Sequence, residues 1–470
     1  MTTITKAEYE PQRLEENQGN PLIEAIPKRL SPDRLIHAVA RRPGFKPAQR
    51  DWDDFDRELL IKRLERCVVP LSVYQDIYAT MYTTLIAGYQ DRNPMLPASR
   101  EWLYGVTQNV QINSKTTADS ILITGLSGAG KSTLINSILS CFPQIIEHEN
   151  YNDEPYLQKQ VVYLKIEIPP DAVRKALCLS FFSALDEALG IGYYVQYASS
   201  RKSISELETA IHQICASHCV GMIIIDEFQN LNVAKAGGEE VILQFFDSIT
   251  NNAKIPIIKV GTPAALRLFS AKFRSGRRAG SAGFYELGQL KNDEQDWKTL
   301  VRAAWTYQWV KNPKRLDQKL ESTLYELSQG IPFCLFKLMQ LANLEAISSG
   351  VESISASTLR SVYTQHFGLL RHALSALRKG NPRQYEDLLP VSVWLEGGSS
   401  SVPIGHLINL AKSEDFRGDA AKRVKNHVDD AIAEAGLSAS QKRQLFKIKE
   451  NLEAKLAEGK GAEFLGGEAE

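Results

Sequence analysis

The stretch Gly125-Leu126-Ser127-Gly128-Ala129-Gly130-Lys131-Ser132-Thr133 contains the full pattern G-x-x-x-x-G-K-S/T. It follows an apolar run, Ser120 to Thr124, and precedes a predicted helix that begins near Lys131. Glycines in such a loop let the backbone curve until its N–H groups point inward around phosphates. The Lys of this pattern neutralises the β- and γ-phosphates, and the Ser hydroxyl ligates Mg²⁺. Gly125 and residues 127–133 therefore predict a nucleoside triphosphate site, and the alternative is a chance glycine-rich turn.

A second motif, Met222-Ile223-Ile224-Ile225-Asp226-Glu227, places two carboxylates directly after four apolar residues. The apolar residues predict a buried central strand with Asp226 at its carboxyl end. We expect Asp226 to hold Mg²⁺ through water and Glu227 to act as the general base on an attacking water molecule. This pairing favours a hydrolase over a small-molecule kinase, which ordinarily needs no water-activating Glu.

Strands and helices alternate around these two motifs. Strands are predicted at 120–124, 161–168, 222–225 and 255–260. Helices are predicted to begin near Lys131, at Pro169, at Ser203 and near residue 238. The helix from Pro169 is predicted to stop at Gly190, and Ser203 with Glu206 forms a capping box that opens the next one. This order predicts an α/β fold of the P-loop kind, in which helices cover both faces of a parallel, doubly wound sheet.

Two further features follow the last of these strands. Thr262 is expected to sense the γ-phosphate and to help place the water, although a plain helix N-cap explains the same Thr equally well. The cationic loop Lys272-Phe273-Arg274-Ser275-Gly276-Arg277-Arg278 comes next. Arg274 or Arg278 could reach the γ-phosphate held by a neighbouring subunit and stabilise charge in the transition state. The alternative is a solvated loop.

Composition limits the class of protein. The chain has 470 residues, of which 43% are hydrophobic and 23% charged, and its formal net charge is +0. This mixture excludes wholesale disorder, and zero net charge excludes a protein that holds nucleic acid by bulk charge alone. The six cysteines are sparse and irregularly spaced, which indicates reduced thiols. No membrane-spanning run or signal core is visible, so we expect a soluble, cytoplasmic protein.

The length predicts several domains. We expect an extended N-terminal arm with little core of its own over 1–50, and a helical region with a linker over 51–118. The ATPase core is predicted over 119–290, a helical lid with following helices over 291–395, and a helical tail over 396–470.

Two clusters of side chains allow more than one interpretation. His212, Cys215, His218 and Cys219 invite a zinc site, but they share one predicted helix and no second ligand pair follows, which favours a structural role. Arg174, Lys175, Arg201 and Lys202 flank the helix after the second strand and are candidate contacts to a DNA backbone. Ordinary solvated helix faces explain these four cations almost as well.

The motifs GLSGAGKST, IIIDEFQNL, KVGTPAA and FRSGRR follow one another in the order and rough spacing of AAA+ ATPases. More narrowly, the chain resembles the TnsC-type regulators of DNA transposition. The stretches NPLIEAIPKRL, GYQDRNP, VVYLKI, ALDEALG and ELSQGI are also similar to that family, so the resemblance covers roughly residues 15–385.

The resemblance implies an ATPase core with a small helical lid, using ATP and Mg²⁺. It also implies a homo-oligomeric ring or filament on double-stranded DNA, which receives a signal from a target-selector protein and relays it to a transposase. Matched by motif, the resemblance implies that Lys131 binds phosphate and Ser132 binds the metal ion. Asp226 and Glu227 are then the metal-binding and water-activating pair, and Thr262 is the first sensor. Arg274 or Arg278 is the arginine finger that reaches the ATP of a neighbouring subunit. The second sensor departs from the family pattern, because Gln329-Gly330-Ile331-Pro332 leads toward Lys337 and not toward an Arg.

Two other classes remain open at this point. The glycine loop alone also suits a small-molecule kinase. A nucleotide-switch signalling ATPase that binds protein partners without DNA would carry the same two motifs.

Overall fold

The computed structural model describes residues 3–107, 118–199, 202–232, 235–266, 269 and 278–380, with the single positions 385, 388, 446, 447, 449, 450 and 453. By its internal contacts the chain divides into two units, Met1–Arg371 and His372–Glu470. The five-domain division expected from the sequence stays a prediction. Among the described residues, no helix is both long enough and apolar enough to cross a membrane.

The described part of the chain contains eight strands, with these bounds: β1 Ile4–Lys6, β2 Ser120–Gly125, β3 Ile145–Tyr151, β4 Glu154–Val161, β5 Tyr163–Glu167, β6 Met222–Asp226, β7 Ile257–Gly261 and β8 Gly283–Leu287. The helices before the second motif are α1 Pro21–Glu24, α2 Pro32–Val39, α3 Asp54–Ile61, α4 Val73–Gln90, α5 Pro97–Thr107, α6 Lys131–Leu139, α7 Arg174–Leu189, α8 Tyr193–Ala198 and α9 Ile204–Ser217. Those after it are α10 Glu239–Asn252, α11 Gln295–Thr306, α12 Gln318–Ser328, α13 Pro332–Ser348, α14 Ala356–His366 and α15 Gly368–Arg378. Short 3₁₀ helices span Glu15–Asn17, Pro47–Asp51, Lys62–Arg66, Phe228–Asn230 and Pro263–Leu266.

The central sheet has five parallel strands in the order β5-β6-β7-β2-β8. Every residue of β2, β6 and β7 is buried, as expected for parallel strands covered on both faces. The α/β fold with a parallel, helix-covered sheet is therefore confirmed. Since parallel strands end at the same edge, the glycine loop after β2, Asp226 at the end of β6 and Thr262 after β7 all lie along one edge of the sheet.

A second, three-stranded sheet was not predicted. Its order is β1-β3-β4, with β1 parallel to β3 and β3 antiparallel to β4. Asn152 and Asp153 join β3 to β4 with φ angles of 50° and 63°, the left-handed conformation that two-residue hairpin turns require. The predicted single strand 161–168 is wrong in its bounds, because the hairpin ends at Val161 and β5 begins at Tyr163.

The first 50 residues contribute to the core, which differs from the expected arm with little core of its own. Leu22, Ile23 and Ile26 are at most 2% exposed. The Asn20 side chain donates a hydrogen bond to the backbone oxygen of Tyr89 on α4, at 2.9 Å. Apolar islands that are short in sequence can still pack when another helix covers them.

The helical region after β8 is centred on α13, which packs against α3, α11, α12 and α14. The fully buried Arg57 of α3 forms a bidentate pair with Glu352, which precedes α14, at 2.6 and 2.8 Å. Bidentate contacts of this kind fix orientation as well as distance. The pair therefore joins the segment before the central sheet to the helices after it.

Candidate nucleotide-binding site

The glycine loop has the backbone shape that phosphate binding requires. Gly128 and Gly130 have φ angles of 80° and 93°, which side-chain-bearing residues rarely adopt. A Cβ on Gly125 would lie 2.5 Å from the backbone oxygen of Leu287 on β8, so only glycine fits beside that strand. Gly130 then leads into α6 without a side-chain cap, and the first N–H groups of that helix face the loop.

Lys131 folds back onto its own loop. Its Nζ donates hydrogen bonds to the backbone oxygens of Gly125 and Leu126, at 2.8 and 3.1 Å. These carbonyls hold the ammonium group at the mouth of the loop. This positive charge attracts a phosphate chain that enters the loop, which is the role that the motif predicts for this Lys.

A cavity of about 370 Å³ opens beside the loop. One wall is the segment 64–74, a second is Gly128 to Gly130 with Thr133, and a third is the start of α13 with Phe333, Phe336 and Lys337. The backbone N–H of Phe333 donates to the oxygen of Gly128 at 3.2 Å, so α13 touches the loop directly. The volume and the largely apolar walls suit a flat organic group such as a nucleobase. The segment 64–74 was not singled out from the sequence, because its residues form no motif.

Asp226 is buried, with 3% of its surface exposed, at the end of β6. Its Oδ2 lies 3.0 Å from Nζ of Lys165 on the adjacent strand β5. Lys165 also donates to Oδ1 of Asn136, one helical turn after Ser132 on α6, at 2.9 Å. The ammonium group of Lys165 thus lies between the helix that carries Ser132 and the carboxylate of Asp226, which are the two predicted metal ligands.

The donor set at this place fits Mg²⁺. A hydroxyl at the start of α6 and a carboxylate at the end of β6 provide hard oxygen ligands, which this ion prefers. Lys165 lies within the stretch VVYLKI that carries part of the resemblance, but the sequence analysis assigned no role to this Lys.

Glu227 follows Asp226 with a φ of 57°, in the left-handed region that is uncommon for residues other than glycine. One of its carboxylate oxygens, Oε2, accepts a hydrogen bond from Nε2 of Gln229. Oε1 of the same Gln229 accepts from the backbone N–H of Thr262 at 2.9 Å. The predicted base and the predicted sensor are therefore linked through a residue that sequence analysis did not select.

The two candidate finger residues differ in what the structure shows. Arg274 lies outside the described residues. Arg278 forms an ion pair with Asp247 of α10, and about a third of each side chain is exposed. This partner belongs to the same chain, so a role for Arg278 at a neighbouring subunit would require exchange of Asp247 for phosphate.

The candidate DNA contacts lie on α7 and before α9. Arg174 pairs with Glu208 of α9 at 2.8 Å, and both side chains are less than a quarter exposed. Lys175 is exposed, Lys202 lies over the ring of Tyr197 at 4.5 Å, and Arg201 lies outside the described residues. Of the four, Arg174 therefore has an internal partner, whereas Lys175 presents its charge to solvent.

The histidines and cysteines of α9 and its end have separate surroundings. Burial lowers the pKa of His212 to about 4, and its Nε2 is 3.3 Å from the Ser248 hydroxyl. His218 lies 3.0 Å from the hydroxyl of Tyr193, and Cys215 is fully buried. In the described part of the chain, no group of three or more His, Cys, Asp or Glu side chains is placed to hold a metal ion.

Lys337, the residue reached from the Gln329-Gly330 turn, lines the cavity beside the loop. Its Nζ donates to Oε1 of Gln340, one turn along α13, at 3.3 Å. A Cβ on Gly330 would lie 2.1 Å from the backbone oxygen of Leu290, so glycine permits the close approach that starts α13 near the loop.

Residues 114–269 match the family model described as AAA domain. The match includes the glycine loop, the Asp226-Glu227 pair and Thr262. No curated protein matches the chain.

Three solved structures are loosely similar to large parts of this chain. A Walker-type ATPase of Pyrococcus abyssi is 14% identical, over 71% of this chain and 84% of that one, with a TM-score of 0.35. The ORC2 protein of Aeropyrum pernix is 14% identical, over 77% and 87%, with a TM-score of 0.37. The RuvB Holliday junction branch migration motor of Thermotoga maritima is 13% identical, over 66% and 78%, with a TM-score of 0.33. At such low scores the likeness carries no conclusion about function.

Proposed function

We propose that this chain, whose residues 114–269 match the AAA domain family, binds ATP with Mg²⁺ and hydrolyses it. The observation that carries the proposal is the shared sheet edge. The glycine loop follows β2, and the buried Asp226 with the adjacent Glu227 lies at the carboxyl end of β6, the next strand but one, at the same edge of one parallel sheet. A P-loop kinase needs the first of these features and an acceptor site, but no Glu placed to activate water.

Each group has a distinct task in this reaction. Lys131 and the N–H groups of the loop bind the phosphates, and the cavity between residues 64–74 and α13 receives the base. Ser132, and Asp226 through water, would hold Mg²⁺, which would supply positive charge beside the phosphates. Glu227 takes a proton from the attacking water, and Thr262 helps to orient that water.

The narrower proposal is an ATP-dependent, DNA-binding regulator of transposition. It oligomerises on double-stranded target DNA and relays target-site selection from a selector protein to a transposase. The support is the resemblance of the motifs and of their flanking stretches, over roughly residues 15–385. Arg174, Lys175, Arg201 and Lys202 remain the candidate contacts to the DNA backbone, and of these Lys175 and Lys202 are exposed.

ATPase assays with and without duplex DNA test both levels. We expect hydrolysis that DNA stimulates, with Lys131→Ala unable to bind nucleotide and Glu227→Gln able to bind but slowed by on the order of 10²-fold or more. Hydrolysis that DNA leaves unchanged would favour a signalling ATPase. Consumption of ATP only with a small acceptor would favour a kinase, and normal hydrolysis by Glu227→Gln would remove Glu227 from the role of base.

Mixing experiments test hydrolysis at subunit interfaces. Arg274→Ala or Arg278→Ala should retain ATP binding but lose about 10³-fold in hydrolysis if that arginine acts as a finger. Glu227→Gln subunits supply intact fingers, and finger variants supply intact bases. A mixture of the two inactive variants should then regain part of the activity. If co-assembled variants show no rescue for either arginine, hydrolysis within one subunit is the better explanation.

A further inference from the structure

Gln229 makes a bridge between two parts of the candidate site. It lies in the short 3₁₀ helix Phe228–Asn230, directly after the Asp226-Glu227 pair. Its side-chain amide donates to Oε2 of Glu227 and accepts from the backbone N–H of Thr262. The first partner directly follows β6 and the second follows β7, so one side chain connects the ends of two neighbouring strands of the sheet.

Chemistry fixes the orientation of this amide. An ionised carboxylate only accepts hydrogen bonds, and a backbone N–H only donates. The NH₂ group of Gln229 must therefore face Glu227, and its oxygen must face Thr262. A flipped amide would place two acceptors together at one end and two donors at the other.

Two backbone features accompany the hydrogen bonds of Gln229. Gly261, the last residue of β7, has no Cβ, and a Cβ there would lie 2.7 Å from Oε1 of Gln229. Glu227 has a φ of 57°, and a strained backbone at a residue other than glycine persists only when surrounding contacts hold it. The hydrogen bond from Gln229 is one such contact.

We propose that Gln229 is a positioning residue that holds the carboxylate of Glu227 at a fixed position relative to Thr262 during ATP hydrolysis. This inference rests on the proposed ATPase activity. A carboxylate has about four lone-pair sites, so one hydrogen bond orients Glu227 without using its capacity to take a proton. Because Thr262 follows β7, any shift of that strand end is passed through Gln229 to the base.

Steady-state kinetics of Gln229→Ala and Gln229→Glu in the full chain test this proposal, with Gln158→Ala as the matched control on the exposed strand β4. Binding of a non-hydrolysable ATP analogue shows that each variant is folded. We expect Gln229→Ala to lower kcat by on the order of 10²-fold, the effect of a misplaced reacting group, while KM changes by less than about threefold. On a Glu227→Gln background the same substitution should have no further effect, since the two residues act as one unit.

Gln229→Glu has the same shape but places a second carboxylate beside Glu227. Two neighbouring carboxylates raise the pKa of one of them, so the acidic limb of the kcat–pH profile should move to higher pH. This shift tests the contact between the two side chains, whereas the loss of kcat at nearly constant KM in Gln229→Ala tests the positioning role. Gly261→Ala provides an independent perturbation, because the new methyl group displaces the Gln229 oxygen. Its loss of kcat should therefore not add to that of Gln229→Ala.

The outcomes separate the two proposals. A wild-type chain that hydrolyses no ATP, with or without DNA, overturns the ATPase activity and this inference with it. An active wild-type chain with an unchanged Gln229→Ala variant overturns the positioning role alone. A higher kcat in Gln229→Ala also overturns it, since the bridge would then restrain Glu227 and not align it. Fully additive losses for Glu227→Gln and Gln229→Ala contradict the link between the two residues.

Discussion

Substitution of Lys165 by Met should increase the affinity of the site for Mg²⁺. In the structure, the ammonium group of Lys165 lies 3.0 Å from the Asp226 carboxylate, and the two side chains are 25% and 4% exposed. Mg²⁺ that approaches Asp226 therefore meets a positive charge already in place. Met keeps most of the length and the apolar stem of Lys but removes this charge.

The size of the effect follows from the burial of the pair. Removing one partner of a buried ion pair costs about 3–5 kcal/mol, because the remaining charge is left without compensation. Since a quarter of Lys165 is exposed, we take the lower end, about 3 kcal/mol. A metal ion beside Asp226 can regain part of that energy, and each 1.4 kcal/mol is about tenfold in affinity. We expect the Mg²⁺ midpoint to fall by about tenfold to a hundredfold.

The assay titrates Mg²⁺ into metal-free protein that contains a fluorescent, non-hydrolysable ATP analogue, and it measures binding and not turnover. Lys159→Met is the control, because Lys159 pairs with Glu147 on the exposed hairpin with 56% of its side chain accessible. An exposed pair of this kind contributes about 0–1 kcal/mol, so the control should match the wild type. A midpoint for Lys165→Met that equals or exceeds that of the wild type would refute competition between Lys165 and the metal.

Two stability predictions follow from buried charges away from the loop. Lys259 in β7 is buried, and burial lowers its pKa to about 8, below the unfolded value of 10.5. Between these two pH values the unfolded chain binds more protons than the folded chain. The free energy of unfolding should therefore rise as the pH increases from 8 toward 10.5. Lys259→Met should raise the free energy of unfolding at pH 7 by on the order of 3 kcal/mol and should remove this pH dependence. Urea titrations from pH 7 to 10 would measure both effects. If the free energy of unfolding of the variant still rose with pH as it does in the wild type, the assignment to Lys259 would be contradicted. Arg57→Met should lower the free energy of unfolding by about 3 kcal/mol, because the Glu352 carboxylate loses its bidentate partner and keeps only Lys311, whose Nζ lies 3.8 Å away and whose backbone N–H donates to it at 2.9 Å. Lys62→Met, which breaks an exposed pair with Glu65, should have little effect. The hydrogen bond from Arg57 lowers the pKa of Glu352. The stability that Arg57 contributes should therefore be present above the unfolded pKa of Glu352 and be lost as the pH falls through its folded pKa. A difference in the free energy of unfolding between Arg57→Met and the wild type that stays constant during acid titration would contradict this.

The parts of the fold that were predictable are those with local signals. The glycine loop between strand and helix, the four apolar residues before Asp226 and the capping box at Ser203 each depend on neighbours in sequence, and the structure has the corresponding strand or helix at each. Gly190 likewise ends α7 in the left-handed conformation that its position predicts. Together these elements were sufficient to predict the α/β fold.

The missed elements depend on partners that are distant in sequence. Strand β8 alternates partly exposed and exposed residues and becomes a strand by pairing with β2, about 160 residues earlier by their paired positions Ile121 and Gly283. Strand β1 has only three residues, all exposed, and it exists because β3 offers an edge. Lys165 and Gln229 were missed for the same reason, since each gains its role from the neighbour that the strand order places beside it.

Three charged groups of the candidate site each have a partner within the protein. Lys131 donates to loop carbonyls, Asp226 pairs with Lys165, and Glu227 accepts from Gln229. Leaving a buried polar group such as Asp226 without a partner costs about 1–3 kcal/mol, so its contact with Lys165 stabilises the folded chain. Binding of ATP must then exchange contacts and not merely fill an open site. A triphosphate with Mg²⁺ can replace the partners of Lys131 and Asp226 together, whereas phosphate or metal alone can replace only one. The geometry therefore favours joint binding of nucleotide and metal over separate binding of either.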